Sequence, residues 1–294
     1  EKNACPGAGA CGGQFTANTM AMVLTSLGLS PMGLNDITAT DPAKRTAAYR
    51  CGELAVECLT EDRKPRDVLT RQSFINAARM VAATAGSTNA VLHLLAIAHD
   101  AGIELGLEDF DAAARDTPVI ADLKPGGRFT AVELTEAGGT ALVARELQAA
   151  GMLFEAATVT GRSLFEEIRA AKPAAEGQQV VHPISDALKP RGGYSILYGN
   201  IAPEGCVLKL AGHGRLHHDK HRAKHTRVRS IIGGVGARNE LVANLNKGSA
   251  AATAGEGDHR AGVAGACRVQ PDAGDDARRN HGGGGRCART ADAC

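Results

Sequence analysis

Residues 4–31 read ACPGAGACGGQFTANTMAMVLTSLGLSP, a glycine-rich loop with two cysteines that runs directly into a helical pattern. Apolar side chains recur every three or four positions from residue 16 to 27, and Gly28 followed by Pro31 ends the pattern. We therefore predict a helix over residues 16–27. Glycines in the loop can adopt positive φ and let the backbone approach another group closely, as a loop around a ligand or cluster requires. These glycines are Gly7, Gly9, Gly12 and Gly13.

Cys11 is the candidate functional residue, because it lies just ahead of the predicted helix. The N–H groups of a first helical turn and the helix dipole favour the thiolate, which is the ligand and nucleophile form of cysteine. One alternative is a small cysteine that only packs in a tight loop. Another is a phosphate-binding loop, but the GxxxxGK[ST] spacing and a preceding strand are both absent.

The composition predicts a soluble chain with a sizeable core. The chain has 294 residues and a net charge of +1, enough for one large or two modest domains. It has no apolar run of about 18 residues and no secretory leader, so we expect a cytoplasmic protein with no membrane partner. The first residues, Glu-Lys-Asn, include no Met, which suggests a chain cut from something longer.

The cysteines are too scattered to predict a disulfide framework, and the absence of a CxxC pair argues against a tetrahedral zinc site. Cys51 and Cys58 lie two turns apart on a helix predicted over residues 42–59 with Asp41 as its cap. We expect both to be buried packing residues. The eight cysteines are Cys5, Cys11, Cys51, Cys58, Cys206, Cys267, Cys287 and Cys294.

The first part of the chain is predicted to be rich in helices, followed by mixed structure. The helix expected near residues 86–102 is apolar almost all round, which predicts a buried central helix in which His93 is a hydrogen-bonded core residue rather than a metal ligand. The run PVIADL, residues 118–123, predicts a buried strand, and residues 158–160 a short extended piece. Further helices are expected over residues 70–85, 108–115, 139–150 and 162–171.

A change in composition near residues 173–178 predicts a domain boundary. Beyond it, apolar and polar residues alternate around Gly199-Asn200 and residues 203–205, a pattern typical of β-hairpins. We therefore predict a first domain over residues 1–175 and the start of a β domain over residues 179–216.

The last stretch, residues 217–294, differs from the rest. From residue 213 to the end, fourteen Lys and Arg face eight Asp and Glu, and few large aliphatic residues remain to build a core. We expect a disordered tail, with an out-of-frame translation as a second hypothesis. The basic run at residues 217–229 lacks the interleaved aromatic residues that stack on bases, so a nucleic-acid partner is not expected.

Several separate motifs resemble the dihydroxy-acid dehydratase family, which also includes phosphogluconate and sugar-acid dehydratases. The match runs in order over about residues 1–218, and CGGQF followed by TANTM is closer to the branched-chain amino acid branch than to the sugar-acid branches. The motifs are GACGGQFTANTM (9–20), KPRDVLTRQSF (64–74), GSTNAVLHLLAIAHDAG (86–102), PVIADLKPGGRF (118–129), ATVTGRSLFE (157–166) and GGYSILYGNIAPEGCVLKLAGH (192–213).

The resemblance implies the later part of an N-terminal α/β domain, rich in helices, followed by the opening strands of a β-barrel-like C-terminal domain. It implies dehydration of a 2,3-dihydroxy acid to a 2-keto acid on the way to valine and isoleucine. The implied cofactors are Mg²⁺ and an iron–sulfur cluster, with 2Fe–2S favoured and 4Fe–4S as the open alternative, in a homodimer. By motif, Cys11 corresponds to the third cluster cysteine, whereas no catalytic residue and no magnesium ligand can be carried over.

Two alternatives stay open beside this function. One is a catalytically inactive fragment, because a single cysteine cannot hold a cluster. The other is a sugar-acid dehydratase of the same family. We also expect the apolar helix around residues 92–97 to lack partners here and to expose apolar surface.

Overall fold

The computed structural model describes residues 11–200 and 202–210, which form a helix-rich fold with one small sheet. The described helices are α1 (Thr16–Ser26), α2 (Ala43–Thr60), α3 (Pro65–Val68), α4 (Arg71–Ala83), α5 (Asn89–Ala101), α6 (Leu107–Asp116), α7 (Ala131–Ala137), α8 (Gly139–Ala149) and α9 (Leu164–Ala170). A short 3₁₀ helix, Ile184–Asp186, precedes strands β1 (Tyr194–Gly199) and β2 (Ala202–Lys209). The predicted helix-rich α/β class is confirmed, while the barrel-like continuation stays a prediction.

Helix α4 lies at the centre of the fold. It packs against α1, α5, α6 and α8, and α6 in turn packs against β1. The face of α4 with Phe74 and Val81 joins one hydrophobic cluster with α1, α5 and α6. The opposite side, with Met80 and Ala83, joins a second cluster that includes α8 and α9.

Local signals explain most helix boundaries. The Thr70 hydroxyl accepts a hydrogen bond from Ser73 N–H at the start of α4, and Ser163 and Glu166 form a capping box at the start of α9. The helices predicted at residues 16–27, 70–85 and 162–171 are confirmed within a few residues at each end.

Helix α7 is absent from the predictions made from the sequence. Its start carries a local signal, because Thr130 and Glu133 form a capping box in which each side chain accepts from the other residue's backbone N–H. That spacing, T-x-x-E, is readable from the sequence alone.

The PVIADL segment is buried but forms only isolated bridges. Ile120 and Ala121 are almost fully inaccessible to solvent. The pairing consists of the antiparallel bridges Val119 to Lys189 and Ala121 to Val181 and a parallel bridge between Leu123 and Phe129. The segment is therefore buried and extended, as predicted, but it does not form the predicted strand, because its residues pair only through isolated bridges.

A hairpin closes the described part of the chain. Strands β1 and β2 pair antiparallel, with Tyr194 opposite Lys209 and a register shift between Leu197 and Gly199. The predicted turn at Gly199-Asn200 is confirmed, whereas residues 203–205 lie within β2 rather than in a turn. Tyr194 is fully buried, and its hydroxyl donates to Ala78 O at 3.1 Å.

Two further predictions are wrong in detail. Residues 159–160 form a turn rather than an extended piece. Helix α5 buries one face with Leu94 and exposes another, where Leu92 is 66% exposed, so it is not buried all round. The exposed side of α5 does agree with the expectation of uncovered apolar surface.

The other predictions concern residues 211–294, the domain boundary and membrane-spanning helices. Residues 211–294, with the basic run and the tail, lie outside the described residues. The boundary near residues 173–178 stays a prediction, although Asp122 N–H donates to Val180 O at 2.8 Å across it. No helix in the described ranges is long and apolar enough to cross a membrane.

Candidate functional site

The Cys11 loop is an exposed turn whose backbone rests on the PVIADLKPGG segment. Cys11 is exposed, and the next buried residues are Gly13 and Gln14. Gln14 N–H donates to Lys124 O at 2.7 Å. A Cβ on Gly13 would lie 2.5 Å from Lys124 O, so only glycine fits there.

Of the two expectations for the loop glycines, close backbone approach and positive φ, one is confirmed and one is wrong. Close backbone approach is confirmed at Gly13. Positive φ is wrong for the two glycines beside Cys11, because neither Gly12 nor Gly13 is among the described glycines with positive φ. Gly7 and Gly9 lie outside the described residues.

Asn18, in the first turn of α1, fixes the loop from the other side. Its Nδ2 donates to Cys11 O at 3.2 Å and to Gly13 O at 2.8 Å. The predicted position of Cys11 just ahead of a helix is confirmed, since α1 begins at Thr16. The N-cap residue Phe15 makes no side-chain cap hydrogen bond, so the first-turn N–H groups depend on other acceptors.

The N-terminus of α5 meets that of α1 beside the loop. The Thr16 and Ser87 hydroxyl oxygens lie 3.0 Å apart, and Asn89 Nδ2 donates to Thr16 Oγ1 at 3.0 Å. This contact between the two helix starts was not predicted from the sequence. Two helix N-termini side by side favour negative charge nearby, such as a thiolate or a carboxylate.

A cavity of about 150 Å³ lies behind the loop and includes Gln14, Asn18 and Asp36 in its lining. The Asp36 carboxylate accepts hydrogen bonds from Thr140 N–H at 2.8 Å and from Thr140 Oγ1 at 2.6 Å. Burial raises the pKa of Asp36, although both bonds from Thr140 oppose that rise. Asp36 thus stabilises the start of α8, a structural role that sequence reasoning did not identify.

No disulfide joins Cys11 to the other described cysteines. Cys51 is exposed on α2, so its predicted burial is wrong. Cys58 is half-buried, and its Sγ donates to Val159 O at 3.4 Å. Cys206 is buried in β2, and all four described cysteines are free thiols, while Cys5 lies outside the described residues.

No metal site is complete within the described ranges. There, no group of three or more His, Cys, Asp and Glu side chains is arranged to hold a metal ion. His93 is half-buried on α5 and belongs to no such group.

Two family models match consecutive parts of the chain. The model described as dihydroxy-acid/6-phosphogluconate dehydratase N-terminal matches residues 1–167. The corresponding C-terminal model matches residues 179–230. Together they cover the Cys11 loop and the hairpin.

Relatives with the same family features come from distant organisms. A dihydroxy-acid dehydratase from Thermus thermophilus is 59% identical over 213 residues, which are 72% of this chain. The enzymes of that name from Koribacter versatilis and Haloarcula marismortui are 54% and 47% identical over 74% of the chain. The chain spans only 38% of the Thermus relative's length and 38% and 39% of the other two.

Proposed function

We propose a function from the premise that the chain belongs to the dihydroxy-acid/6-phosphogluconate dehydratase family. It is part of a hydro-lyase that removes water from a 2,3-dihydroxy acid, in the synthesis of branched-chain amino acids. The observation that carries this proposal is the exposed Cys11 in a loop held by Asn18 and Lys124, inside the segment that matches the family. The names of the relatives favour the dihydroxy acid over a sugar acid.

The reaction balances without an oxidant. A proton leaves C2 and a hydroxyl leaves C3, together forming one water molecule. The resulting enol takes up a proton at C3 and becomes the 2-keto acid. An enzyme for this reaction needs a base at C2 and an acid at the departing hydroxyl.

The donor set around Cys11 fits one ligand of an iron–sulfur cluster. A thiolate is the usual protein ligand of such clusters, and the exposed position of Cys11 leaves its sulfur accessible. The described residues contain no group of three or more His, Cys, Asp and Glu side chains that could hold a metal ion, so the remaining ligands would come from outside these residues. When bound with one iron open, a 2Fe–2S cluster, or a 4Fe–4S cluster, supplies Lewis acidity for the leaving hydroxyl.

Magnesium does not fit the described residues. Mg²⁺ needs several oxygen ligands in octahedral geometry, and no acidic cluster of that kind lies within residues 11–200 or 202–210. Asp36, a carboxylate in the cavity behind the Cys11 loop, is already bonded to Thr140. We derive no step through magnesium.

The chain's own residues hold the loop and set its electrostatics. Asn18 and the Gly13 contact with Lys124 fix the backbone that carries Cys11. The adjacent N-termini of α1 and α5 stabilise negative charge on the sulfur or on a substrate carboxylate.

Anaerobic iron–sulfur reconstitution with a keto-acid assay tests the proposal. We expect bound iron and sulfide, and turnover of 2,3-dihydroxyisovalerate but not of an aldonic acid. Cys11→Ser should abolish both readouts, while Cys51→Ser, a matched exposed cysteine on α2, should change neither.

Absence of iron and turnover in the unmodified chain would instead support the inactive fragment. Equal loss in both cysteine variants would contradict the role of Cys11. A homodimer is a further proposal from the family, and light scattering of the purified chain tests it.

A further inference from the structure

The C-terminal end of α4 collects hydrogen bonds from distant parts of the chain. A helix leaves its last carbonyl groups without partners inside the helix. Here Ala82 O accepts from Gly193 N–H at 3.0 Å, and Ala83 O accepts from Ile120 N–H at 2.9 Å. The carbonyl oxygens of Ala85 and Gly86, in the turn between α4 and α5, accept hydrogen bonds from Lys209.

Lys209 is the last residue of β2, and its Nζ donates to Ala85 O and to Gly86 O, both at 2.6 Å. Its backbone is fixed as well. Lys209 pairs with Tyr194, and the following Leu210 N–H donates to Gly193 O at 2.7 Å. The ammonium group therefore reaches the turn from a rigid position.

Holding a charge at this place is costly. Burial lowers the pKa of Lys209 to about 8. No ion pair involving Lys209 occurs within the described part of the chain, so the two carbonyls and the negative end of the α4 dipole balance its charge. Because burial disfavours the charge of Lys209, keeping a cation there indicates a specific role for its contact with the Ala85–Gly86 turn.

The turn held by Lys209 packs directly on α1. A Cβ on Gly86 would lie 2.9 Å from Thr19 Cγ2, so the Gly86 backbone lies directly against the Thr19 side chain. Ser87 N–H donates to Thr19 Oγ1 at 2.9 Å. Thr19 Oγ1 donates in turn to Gln14 O at 3.3 Å, inside the Cys11 loop.

We propose that Lys209 is a positioning residue for the Cys11 loop, acting through the Ala85–Gly86 turn and Thr19. The hairpin at residues 194–209 thereby fixes a loop nearly 200 positions earlier in the sequence. The inference depends on the proposed function for one point only, that Cys11 is a cluster ligand.

Hydrogen exchange with mass spectrometry tests the inference on the complete chain. In Lys209→Met we expect at least tenfold faster exchange in peptides covering residues 11–19 and 84–90, with α8 unchanged. Lys209→Arg, which keeps the charge, should restore most of the protection. Lys189→Met is the matched control, because this half-buried lysine donates to Leu210 O.

Uniform acceleration, or none in residues 11–19, would overturn the inference. If Lys209→Met does not fold, Thr19→Val breaks the same route one step later, and unchanged exchange in residues 11–14 would refute it. The readout needs no cofactor. A local exchange effect with failed reconstitution counts against the proposed function alone, whereas normal reconstitution with unchanged exchange counts against the role of Lys209 alone.

Discussion

Replacing Gly13 by Ala tests whether the Cys11 loop depends on contact with the Lys124 backbone. The added Cβ would lie 2.5 Å from Lys124 O, 2.8 Å from Lys124 C and 2.9 Å from Lys124 Cβ. Two of these atoms are backbone atoms, so a change of rotamer cannot relieve the overlap. The loop must move away from Lys124.

The cost follows from two effects. Overpacking a tight site costs about 1–3 kcal/mol. The displacement also breaks the bond from Gln14 N–H to Lys124 O, worth about 1 kcal/mol. Gln14 is 1% exposed, so water does not replace the lost partner. We expect Gly13→Ala to lower the free energy of unfolding by about 2–4 kcal/mol.

Urea unfolding followed by far-ultraviolet circular dichroism measures this difference. Gly52→Ala is the matched control, because Gly52 lies exposed within α2 and a Cβ there meets nothing within 4 Å. It should raise stability by about 0.5–1 kcal/mol, since glycine is unfavourable inside a helix. A Gly13→Ala variant as stable as the unmodified chain would refute the tight contact.

Substitutions in α5, at Asp36 and at Lys209 test three other parts of the fold. Leu94→Ala should cost about 2–5 kcal/mol in urea unfolding, and Leu92→Ala on the exposed side of α5 less than about 0.5 kcal/mol; equal costs would contradict the one-sided burial of α5. Asp36→Ala should cost about 1–3 kcal/mol by leaving Thr140 N–H without its acceptor. Because the pKa of Asp36 is raised in the folded state, the unfolding free energy relative to Asp36→Asn should fall as the pH rises from 3.8, and a flat difference would exclude that shift. The folded pKa of Lys209 is about 8 against an ordinary 10.5, so the unfolded state binds more protons between these two values. In thermal melts, the stability of the unmodified chain relative to Lys209→Met should therefore rise across that pH range. A fall would contradict the burial of the Lys209 charge.

Local signals made much of the fold predictable. Helices α4 and α9 follow from apolar periodicity and capping residues that lie within a few positions of each other, and α1 follows from apolar periodicity. The turn at Gly199-Asn200 is predictable for the same reason. Helix α7 could have been predicted from Thr130 and Glu133.

Contacts between distant residues were not predictable. The predicted burial of Cys51 is wrong because an apolar stripe indicates which side chains a helix could bury, not whether another element covers them. The position of Cys11 was predictable from its glycines. The bonds of Asp36 to Thr140 and of Lys209 to the turn join residues about 100 positions apart or more, and no local pattern encodes them.

The burial of Tyr194 has a practical optical consequence. The chain contains no tryptophan and only three tyrosines, and the other two, Tyr49 and Tyr198, are 72% and 45% exposed. Burial raises the pKa of Tyr194 far above that of an ordinary phenol. In alkaline solution its phenolate absorbance should therefore emerge only when the hairpin leaves α4, which gives the protein a built-in, label-free reporter of that detachment.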